Sequence, residues 1–439
     1  MASTTVNVEK TISKLRWHLL PYLMLLYIMA MIDRVNIGFA ALQMNQELGI
    51  TPSMFGFIAG IFFIAYFFFE VPSNVIMHRV GARKWITRIL ISWGLVTVFT
   101  GFVHTSTQFA ILRVLLGVAE AGFYPCIILY LTFWFPGKYF ASAVSIFMCG
   151  MALANIITGP ISTWIMDNVM WLDLAGWRWL FIIEGAPAVL LGFITYFTMI
   201  DRPDQAKFLD KDEKEWLLAE LQKEHEAKLA QVPANKWEVF KMGKVWHLSF
   251  CYLCYVIALY GLGLWMPQII KGLSKALSIT NIGLISTIPY FFAVVAMVLC
   301  ARHSDNTGER RYHGSLPIAL SFFGLIGLTM TNDLYISMAL ICLSQMGIYC
   351  FVGTFWVFPN MYLTEATAAV GIAIINSTAN LGGFIGPYVV GFLKDMSGGS
   401  TTLSMYFLAS FAIMGTLSVL ALGKKSEPGV TDASTPVAK

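Results

Sequence analysis

The stretch Arg113-Val-Leu-Leu-Gly-Val-Ala-Glu-Ala-Gly-Phe-Tyr-Pro125 places two full charges inside an otherwise apolar segment of membrane-spanning length. Arg113 and Glu120 are seven residues apart. At about 100° per residue both lie on one face of a helix, roughly 10 Å apart along its axis. A charge at bilayer depth is unfavourable unless it is paired or faces water, and such residues commonly mark a substrate or ion pathway. We interpret the pair in this way; the alternative is a buried ion pair that only fixes helix packing.

The composition is that of an integral membrane protein. Of the 439 residues, 57% are hydrophobic and 12% are charged, whereas about a quarter of the residues of a soluble domain are charged. The net charge of +4 is small and gives no indication of nucleic-acid binding. Even the two closest of the seven cysteines, Cys251 and Cys254, have no companion ligands. We therefore expect packing thiols, no metal site and no cofactor.

Apolar segments about 20 residues long, enough to cross a bilayer, recur along the whole chain. We predict an all-α membrane protein whose twelve transmembrane helices form two pseudo-symmetric six-helix bundles. The predicted spans are 18–41, 54–76, 85–104, 107–134, 140–166, 178–200, 246–270, 281–301, 314–331, 334–359, 367–391 and 402–422. The corresponding divisions are a cytoplasmic N-terminal segment 1–17, a first bundle 18–200, a cytoplasmic linker 201–245, a second bundle 246–422 and a cytoplasmic tail 423–439. Within the linker, Lys211 to Lys228 is expected to form a surface helix.

The distribution of Lys and Arg predicts the orientation, because positive residues concentrate in cytoplasmic loops. The loops on the side of the N-terminus are rich in basic residues, among them Arg83, Lys84 and Arg310, and the linker adds more. The opposite loops hold only Arg178, Lys271, Lys275 and Lys394. We predict that both termini and the linker are cytoplasmic.

Two loops in equivalent places of the two halves repeat one motif. His78-Arg-Val-Gly81-Ala-Arg83-Lys84 follows the second span, and Asp305-Asn-Thr-Gly308-Glu-Arg310-Arg311 follows the eighth. The glycine and the basic pair coincide in register. Matching loops in two six-span halves are typical of a transporter whose substrate site lies between the halves. A generic turn with positive-inside charges is the alternative.

Several motifs together resemble the major facilitator superfamily, and within it the anion:cation symporter family of bacterial organic-acid carriers. That family includes carriers for galactonate, glucarate, tartrate, phthalate and hydroxyphenylacetate. The resemblance covers the chain from about residue 15 to residue 423. The residues that carry it are Ile32-Asp-Arg-Val-Asn-Ile-Gly-Phe-Ala40, Val71-Pro-Ser-Asn74, the two loop motifs, Arg113 to Pro125, Phe133-Trp-Phe-Pro136, Gly176-Trp-Arg-Trp179 and Gly371 to Pro387.

The resemblance implies a cytoplasmic gate formed by the two loop motifs, at Gly81, Arg83, Asp305, Gly308 and Arg310. The first copy departs from the family pattern, because His78 stands where an Asp is usual. In the second copy Asn306 replaces the next basic residue, and Phe140 stands where the loop after span 4 often has Arg. These changes bear on the strength of the gate rather than on the fold.

Asp33 and Arg34 form a second acid–base pair, on the first span. Neighbouring residues project about 100° apart on a helix, so both cannot serve one partner equally. We expect Arg34 to face the central cavity and to bind a substrate carboxylate with its two-pronged guanidinium. Asp33 would then face span 4, near Arg113 and Glu120. The resemblance agrees: it implies proton coupling through acids matching Asp33 and Glu120, and anion binding by an Arg matching Arg34.

The second half offers neutral polar groups for the substrate. Asn376 lies in an apolar span and needs a polar partner, which a substrate cavity provides. Tyr260 is a further candidate. By resemblance, Tyr66, Trp356 and Asn376 match sugar-acid contacts in related carriers. The acids Glu70 and Glu184 are interpreted as membrane-edge residues with structural partners.

These features predict a secondary active transporter, not an enzyme, that imports an organic acid anion by proton symport with alternating access. Hydroxy acids, sugar acids and aromatic acids remain open as substrates, and residue types leave Na⁺ open beside H⁺ as the coupling ion. We expect a monomer in the lipid bilayer, and the resemblance to bacterial carriers implies the inner membrane of a bacterium. The alternatives are a proton-driven exporter, although Ile161-Ser-Thr-Trp164 replaces the trailing glycines of the exporter motif, and a non-transporting nutrient sensor of the same fold.

Overall fold

The structure, a computed structural model, describes residues 6–230, 236–274, 276–363 and 365–422. The predicted tail 423–439 and the first five residues of the predicted N-terminal segment lie outside the described residues. All regular secondary structure within the described ranges is helical. Because a lipid bilayer offers no water to bond the backbone, helices that satisfy their own N–H and C=O groups are the expected solution for so apolar a chain.

In the first half, each predicted span corresponds to one helix or to two consecutive helices. These helices are α1 (Val8–Glu47), α2 (Pro52–Val80), α3 (Ala82–Thr100), α4 (Ser106–Glu120), α5 (Phe123–Thr132), α6 (Gly137–Asn168) and α7 (Gly176–Thr198). The predicted surface helix of the linker is confirmed as α8 (Lys211–Ala230). It lies against the start of α1, where Lys14 Nζ contacts Glu213 at 2.8 Å and Asp210 at 3.0 Å. The hydrogen bond to Glu213, followed by that to Asp210, raises the pKa of Lys14.

The second half repeats the pattern. Its helices are α9 (Gly243–Gly263), α10 (Met266–Leu273), α11 (Ile279–Thr307), α12 (Arg311–Gly327), α13 (Leu334–Phe355), α14 (Val357–Tyr362), α15 (Glu365–Met396) and α16 (Thr402–Ala421). Within the described residues, nine segments are long and apolar enough to cross a membrane. The three other predicted spans correspond to α3, which begins with a cluster of basic residues, α12, which has 17 residues, and α15. The predicted all-α membrane fold is confirmed.

The chain divides into two compact units. Unit 1 consists of Met1–Ile50, Ile61–Val232 and Ala276–Thr287, and its most extensive packing joins α3 to α7 and α1 to α6. Unit 2 consists of Thr51–Gly60, Pro233–Lys275 and Ile288–Lys439, and α9 packs on α15 while α12 packs on α13 and α16. The bundle boundaries expected from the sequence stay a prediction.

A close approach of two backbones holds α3 against α7. A Cβ atom added at Gly94 would lie 2.8 Å from Val189 N and 2.9 Å from Gly185 O. These are backbone atoms, so no side-chain rotation can relieve the clash. Small residues at such contacts let membrane helices gain packing that larger residues prevent. The α3–α7 contact also fixes the side of α3 that carries Trp93 and Thr97, which belong to the site described below.

We expect Gly94→Ala to lower the thermal unfolding midpoint of the protein in detergent. Overpacking against backbone destabilises by about 1–3 kcal/mol, which equals or exceeds the helix propensity of about 1 kcal/mol that alanine adds. Gly272→Ala in α10 is the matched control, because nothing lies within 4 Å of a Cβ atom added there. Equal midpoints for the two variants would show that the α3–α7 contact is not tight.

Candidate functional site

The fourth span is broken directly after its buried acid. α4 ends at Glu120, and α5 begins after Gly122, whose φ of +84° is a left-handed conformation that glycine adopts readily. A Cβ atom at Gly122 would also lie 2.4 Å from Ser73 Oγ. Discontinuous helices of this kind commonly place substrate and coupling groups in transporters. Here the break puts the Glu120 carboxylate at a helix C-terminus, where the helix dipole does not favour negative charge.

Glu120 is paired with Arg34 of α1. Arg34 Nε donates to Glu120 Oε1 at 2.7 Å, and Arg34 Nη2 lies 2.6 Å from the same oxygen. The Glu120 side chain is fully buried, whereas 12% of the Arg34 side chain is exposed. Among the described residues, Glu120 Oε2 has no hydrogen-bond partner. The guanidinium of Arg34 therefore binds one oxygen of the Glu120 carboxylate, and the second oxygen of Glu120 is available to another group.

Aromatic rings of α2 lie against the two arginines of the site. The Arg34 guanidinium carbon is 4.9 Å from the ring centre of Tyr66 and 5.5 Å from that of Phe62. Arg113 lies 5.2 Å from the Phe62 ring, is buried, and has no described hydrogen-bond partner at its Nε. Desolvated cation–π contacts are favourable by up to about 2 kcal/mol. The structure thus brings together Arg34, Tyr66, Arg113 and Glu120 around Phe62.

Asp33 hydrogen-bonds to α3 rather than to span 4, which corrects the expectation that it faces span 4. It still interacts electrostatically with Arg113 and Glu120, as expected. Its carboxylate is buried and accepts hydrogen bonds from the Nε1 of Trp93 and from Thr97 Oγ1 at 3.3 Å, both on α3. A third contact comes from Asn36 Nδ2 at 3.4 Å. The reason is the helical rotation between neighbours: once Arg34 turns towards α4, Asp33 is directed to α3.

Sequence reasoning missed the part that Glu184 and Asn36 play here. Glu184 of α7 is buried, and its Oε2 accepts from Asn36 Nδ2 at 2.9 Å. Its Oε1 lies 2.6 Å from the hydroxyl of Ser162 on α6. Asn36 therefore bridges Asp33 and Glu184. The signal available in the sequence was the spacing of three residues between Asp33 and Asn36, which puts both on one helix face.

The predicted substrate contacts of the second half lie in unit 2. Trp356 occupies the junction of α13 and α14, and its ring meets that of Tyr252 edge-on at 4.9 Å. Tyr252 in turn stacks on Phe355 at 4.8 Å. Tyr260 on α9 and Asn376 on α15 are both half-buried. Their roles in substrate binding stay predictions.

A carboxylate side chain that is distant in sequence contacts the first predicted gate motif. Gly81 caps the start of α3 with a φ of +96°, and Arg83 N donates to Asp201 Oδ1 at 2.7 Å. Asp201 follows α7, so an acid 118 residues away in sequence contacts the motif in which His78 replaces the usual Asp. A carboxylate at a helix N-terminus accepts hydrogen bonds from free backbone N–H groups and interacts favourably with the helix dipole.

The second motif supplies its own carboxylate. Asp305 Oδ1 lies 2.5 Å from Arg310 Nη1, which also donates to Ser304 Oγ at 3.1 Å. Gly308 has a φ of +65° and forms the turn between them. An aspartate side chain thus binds each motif: Asp201 is distant in sequence from the first motif, and Asp305 belongs to the second.

No group of three or more His, Cys, Asp or Glu that could hold a metal ion occurs in the described ranges.

We expect Asp201→Ala to lower the thermal midpoint, because loss of a helix-capping carboxylate destabilises by about 1 kcal/mol. Asp204→Ala is the control, since Asp204 is an exposed neighbour in the same loop. If both variants unfold at the wild-type temperature, Asp201 does not stabilise the start of α3.

Comparisons with known proteins place these features among transporters. The chain matches the family model described as Major Facilitator Superfamily over residues 23–387. It is 43% identical over 424 residues to a putative tartrate transporter of Agrobacterium vitis, covering 96% of this chain and 93% of the relative. It is 37% identical over 424 residues to a quinolone resistance transporter of Acinetobacter baumannii, covering 96% and 97%. The inward open conformation of the xylose transporter XylE from E. coli has a similar fold, with a TM-score of 0.75, 14% identity and coverage of 94% and 98%.

Proposed function

The chain belongs to the major facilitator superfamily, a family of membrane transporters rather than enzymes, and on that premise we propose that it imports an organic acid anion together with protons. The finer assignment is to the anion:cation symporter family. Two relatives are named as putative tartrate transporters, which supports this assignment. The buried charged residues of unit 1 support it as well.

The single observation that carries the proposal is the pair of Arg34 with Glu120. One oxygen of a buried carboxylate accepts both contacts from a guanidinium that is itself partly exposed. A substrate carboxylate would seek the same N–H groups, because the guanidinium matches carboxylate geometry. Glu120 and the substrate therefore compete for one cation.

This competition couples the anion to a proton. While Glu120 is ionised, it occupies the Arg34 guanidinium. A proton taken up on Glu120 Oε2, the oxygen without a described partner, removes the charge that holds Arg34. Arg34 is then available to the substrate carboxylate, so protonation and anion binding favour each other. After the site opens to the opposite side, loss of the proton restores the pair with Glu120 and displaces the anion.

The other residues of the site have supporting roles in this proposal. The Tyr66 and Phe62 rings contact the Arg34 guanidinium and help to position it beside Glu120 and the substrate. Arg113 offsets the negative charge of Asp33 and Glu120, with which it interacts electrostatically. In the second half, Trp356, Asn376 and Tyr260 stay the proposed substrate contacts. A monomer in a bacterial inner membrane, with both termini in the cytoplasm and H⁺ as the coupling ion, completes the proposal.

A second candidate function is proton-driven export, which the relationship to a quinolone resistance transporter favours. Quinolones carry a carboxylate, so Arg34 suits them as well as it suits a simple organic acid. Direction of transport separates the two candidates. An exporter lowers the quinolone content of cells and raises their resistance, whereas an importer leaves both unchanged.

The experiment that tests the proposed function is the external pH of a weakly buffered, de-energised suspension of cells that express the protein. Tartrate is added first, followed by glucarate, galactonate, rhamnonate, phthalate and 4-hydroxyphenylacetate. We expect alkalinisation on one of these acids, because protons enter with the anion. Vector-only cells should give no signal. Absence of alkalinisation with every one of these acids, with the protein shown to be in the membrane, would contradict proton-coupled import.

A further inference from the structure

Two buried carboxyl groups meet at one amide inside unit 1. Asn36 Nδ2 is 2.9 Å from Glu184 Oε2 and 3.4 Å from Asp33 Oδ1. Asp33 is 1% exposed and Glu184 is 4% exposed. Within the part of the chain that the structure describes, no Lys, Arg or His side chain hydrogen-bonds to either carboxyl group. Two carboxylates that share such a buried site cannot both be ionised without a large electrostatic penalty, so the pair retains a proton.

The hydrogen-bond donors decide which of the two groups holds that proton. Trp93 Nε1 and Asn36 Nδ2 can only donate, and they contact Oδ2 and Oδ1 of Asp33 respectively. Both oxygens of Asp33 therefore receive hydrogen bonds from obligate donors, which suits the ionised form. Glu184 differs, because its Oε1 faces the Ser162 hydroxyl at 2.6 Å. A hydroxyl can donate to a carboxylate or accept from a protonated carboxyl.

We propose that Glu184 carries a proton on Oε1, donated to Ser162 Oγ, whenever Asp33 is ionised, and that it exchanges this proton during transport. When Asp33 takes up a proton, the like charge beside Glu184 disappears. Glu184 then ionises and its proton leaves from Oε1, so that the pair carries one proton before and after the exchange. This role rests on the proposed proton symport and adds a third carboxyl group to Asp33 and Glu120.

The charged groups around the pair fit this exchange. α4 contributes Arg113 and Glu120, which interact electrostatically with Asp33. α1 contributes Arg34, which is bound to Glu120. The other described contacts of the two carboxyl groups are neutral: Trp93 and Thr97 on α3, Ser162 on α6 and Asn36 on α1. Asp33 interacts electrostatically with both Glu120 and Glu184, and in this proposal it links the protonation of one to that of the other.

The test is infrared spectroscopy of the purified full chain in lipid vesicles, with the spectrum of each variant subtracted from that of the wild type. The C=O stretching band of protonated carboxyl groups is the measured quantity. At neutral pH we expect wild-type protein to show a band that Glu184→Gln removes. Asp33→Asn should weaken that band, since removal of the neighbouring charge lets Glu184 ionise. Glu47→Gln is the matched control and should leave the band intact, because Glu47 is bound to Arg178 elsewhere in the unit.

Ser162→Ala gives an independent reading if Glu184→Gln does not fold. It removes the acceptor of the proposed proton but leaves the carboxyl group, so the band should move to higher frequency. A spectrum unchanged by Glu184→Gln, or a band that does not respond to Asp33→Asn, would overturn the assignment. These measurements need no substrate, and they therefore decide the protonation of Glu184 even if every acid of the transport panel fails.

Tartrate uptake into the same vesicles tests the part that Glu184 plays in transport. Glu184→Gln removes the group that releases a proton when Asp33 takes one up, so an imposed pH gradient should drive less accumulation of tartrate. We expect this reduction in Glu184→Gln while exchange of internal for external tartrate continues. Wild-type accumulation in Glu184→Gln would overturn its role as a proton carrier. Absence of tartrate transport by the wild-type protein would count against the proposed substrate instead.

Discussion

Arg34→Ala is expected to abolish uptake of the organic anion. The substitution removes the guanidinium to which both Glu120 and the proposed substrate carboxylate bind. Truncating one partner of a buried, hydrogen-bonded charge pair reduces binding by about 2–5 kcal/mol, which is about thirtyfold to several thousandfold in apparent affinity. Initial rates of radiolabelled tartrate uptake in vesicles measure the effect, and tartrate exchange should be lost with net uptake.

Arg34→Lys separates charge from geometry in the same experiment. Lysine keeps the positive charge but lacks the planar, two-pronged arrangement of N–H groups, so we expect a raised KM with partial activity. Arg202→Ala is the control for loss of a basic residue, because Arg202 lies against the ring of Phe133 outside the site. If Arg34→Ala transports with the KM of the wild type, Arg34 does not bind the substrate.

Glu120→Gln is expected to separate transport from the proton gradient. Glutamine resembles the protonated acid, so Arg34 is permanently available to the anion and nothing displaces the anion afterwards. An imposed pH gradient should no longer drive accumulation, while exchange of internal for external substrate continues. The two assays are run on the same vesicles, so that a general loss of protein would reduce both.

Glu47→Gln is the matched control for Glu120→Gln, since Glu47 also binds an arginine but is 39% exposed at its side chain. It should keep both gradient-driven accumulation and exchange. Accumulation that survives in Glu120→Gln would contradict the competition between Glu120 and the substrate for Arg34. It would then leave Asp33 as the principal coupling acid.

Much of the fold could be predicted from the sequence because it depends on local properties. Apolar length predicts where a helix crosses the bilayer, and the described helices correspond to the predicted spans. The break of the fourth span could not be predicted in the same way. Gly122 comes two residues after Glu120 in a run that is apolar on both sides. Only the structure shows that a Cβ atom there would clash with Ser73, which favours glycine at this turn.

Four charged residues of the candidate site were predictable, but Glu184, Asn36 and the pairing of the side chains were not. The sequence indicated that Asp33, Arg34, Arg113 and Glu120 are charged residues within apolar segments, since hydropathy alone reveals them. It did not indicate that Glu120 binds Arg34 while Asp33 binds Trp93. These contacts depend on how far each helix is rotated about its axis, and packing against neighbouring helices sets that rotation.

The sequence by itself determined the class of this protein: an all-helical membrane chain with a repeated loop motif and charges inside its first and fourth spans. The physical reason is that a bilayer imposes length, apolarity and internal backbone bonding on each segment separately. The tertiary structure alone decided that Asp201 completes the first loop motif and that Glu184 shares an amide with Asp33. Hydrogen bonds act over about 3 Å, so partners far apart in sequence become recognisable only once the helices are packed.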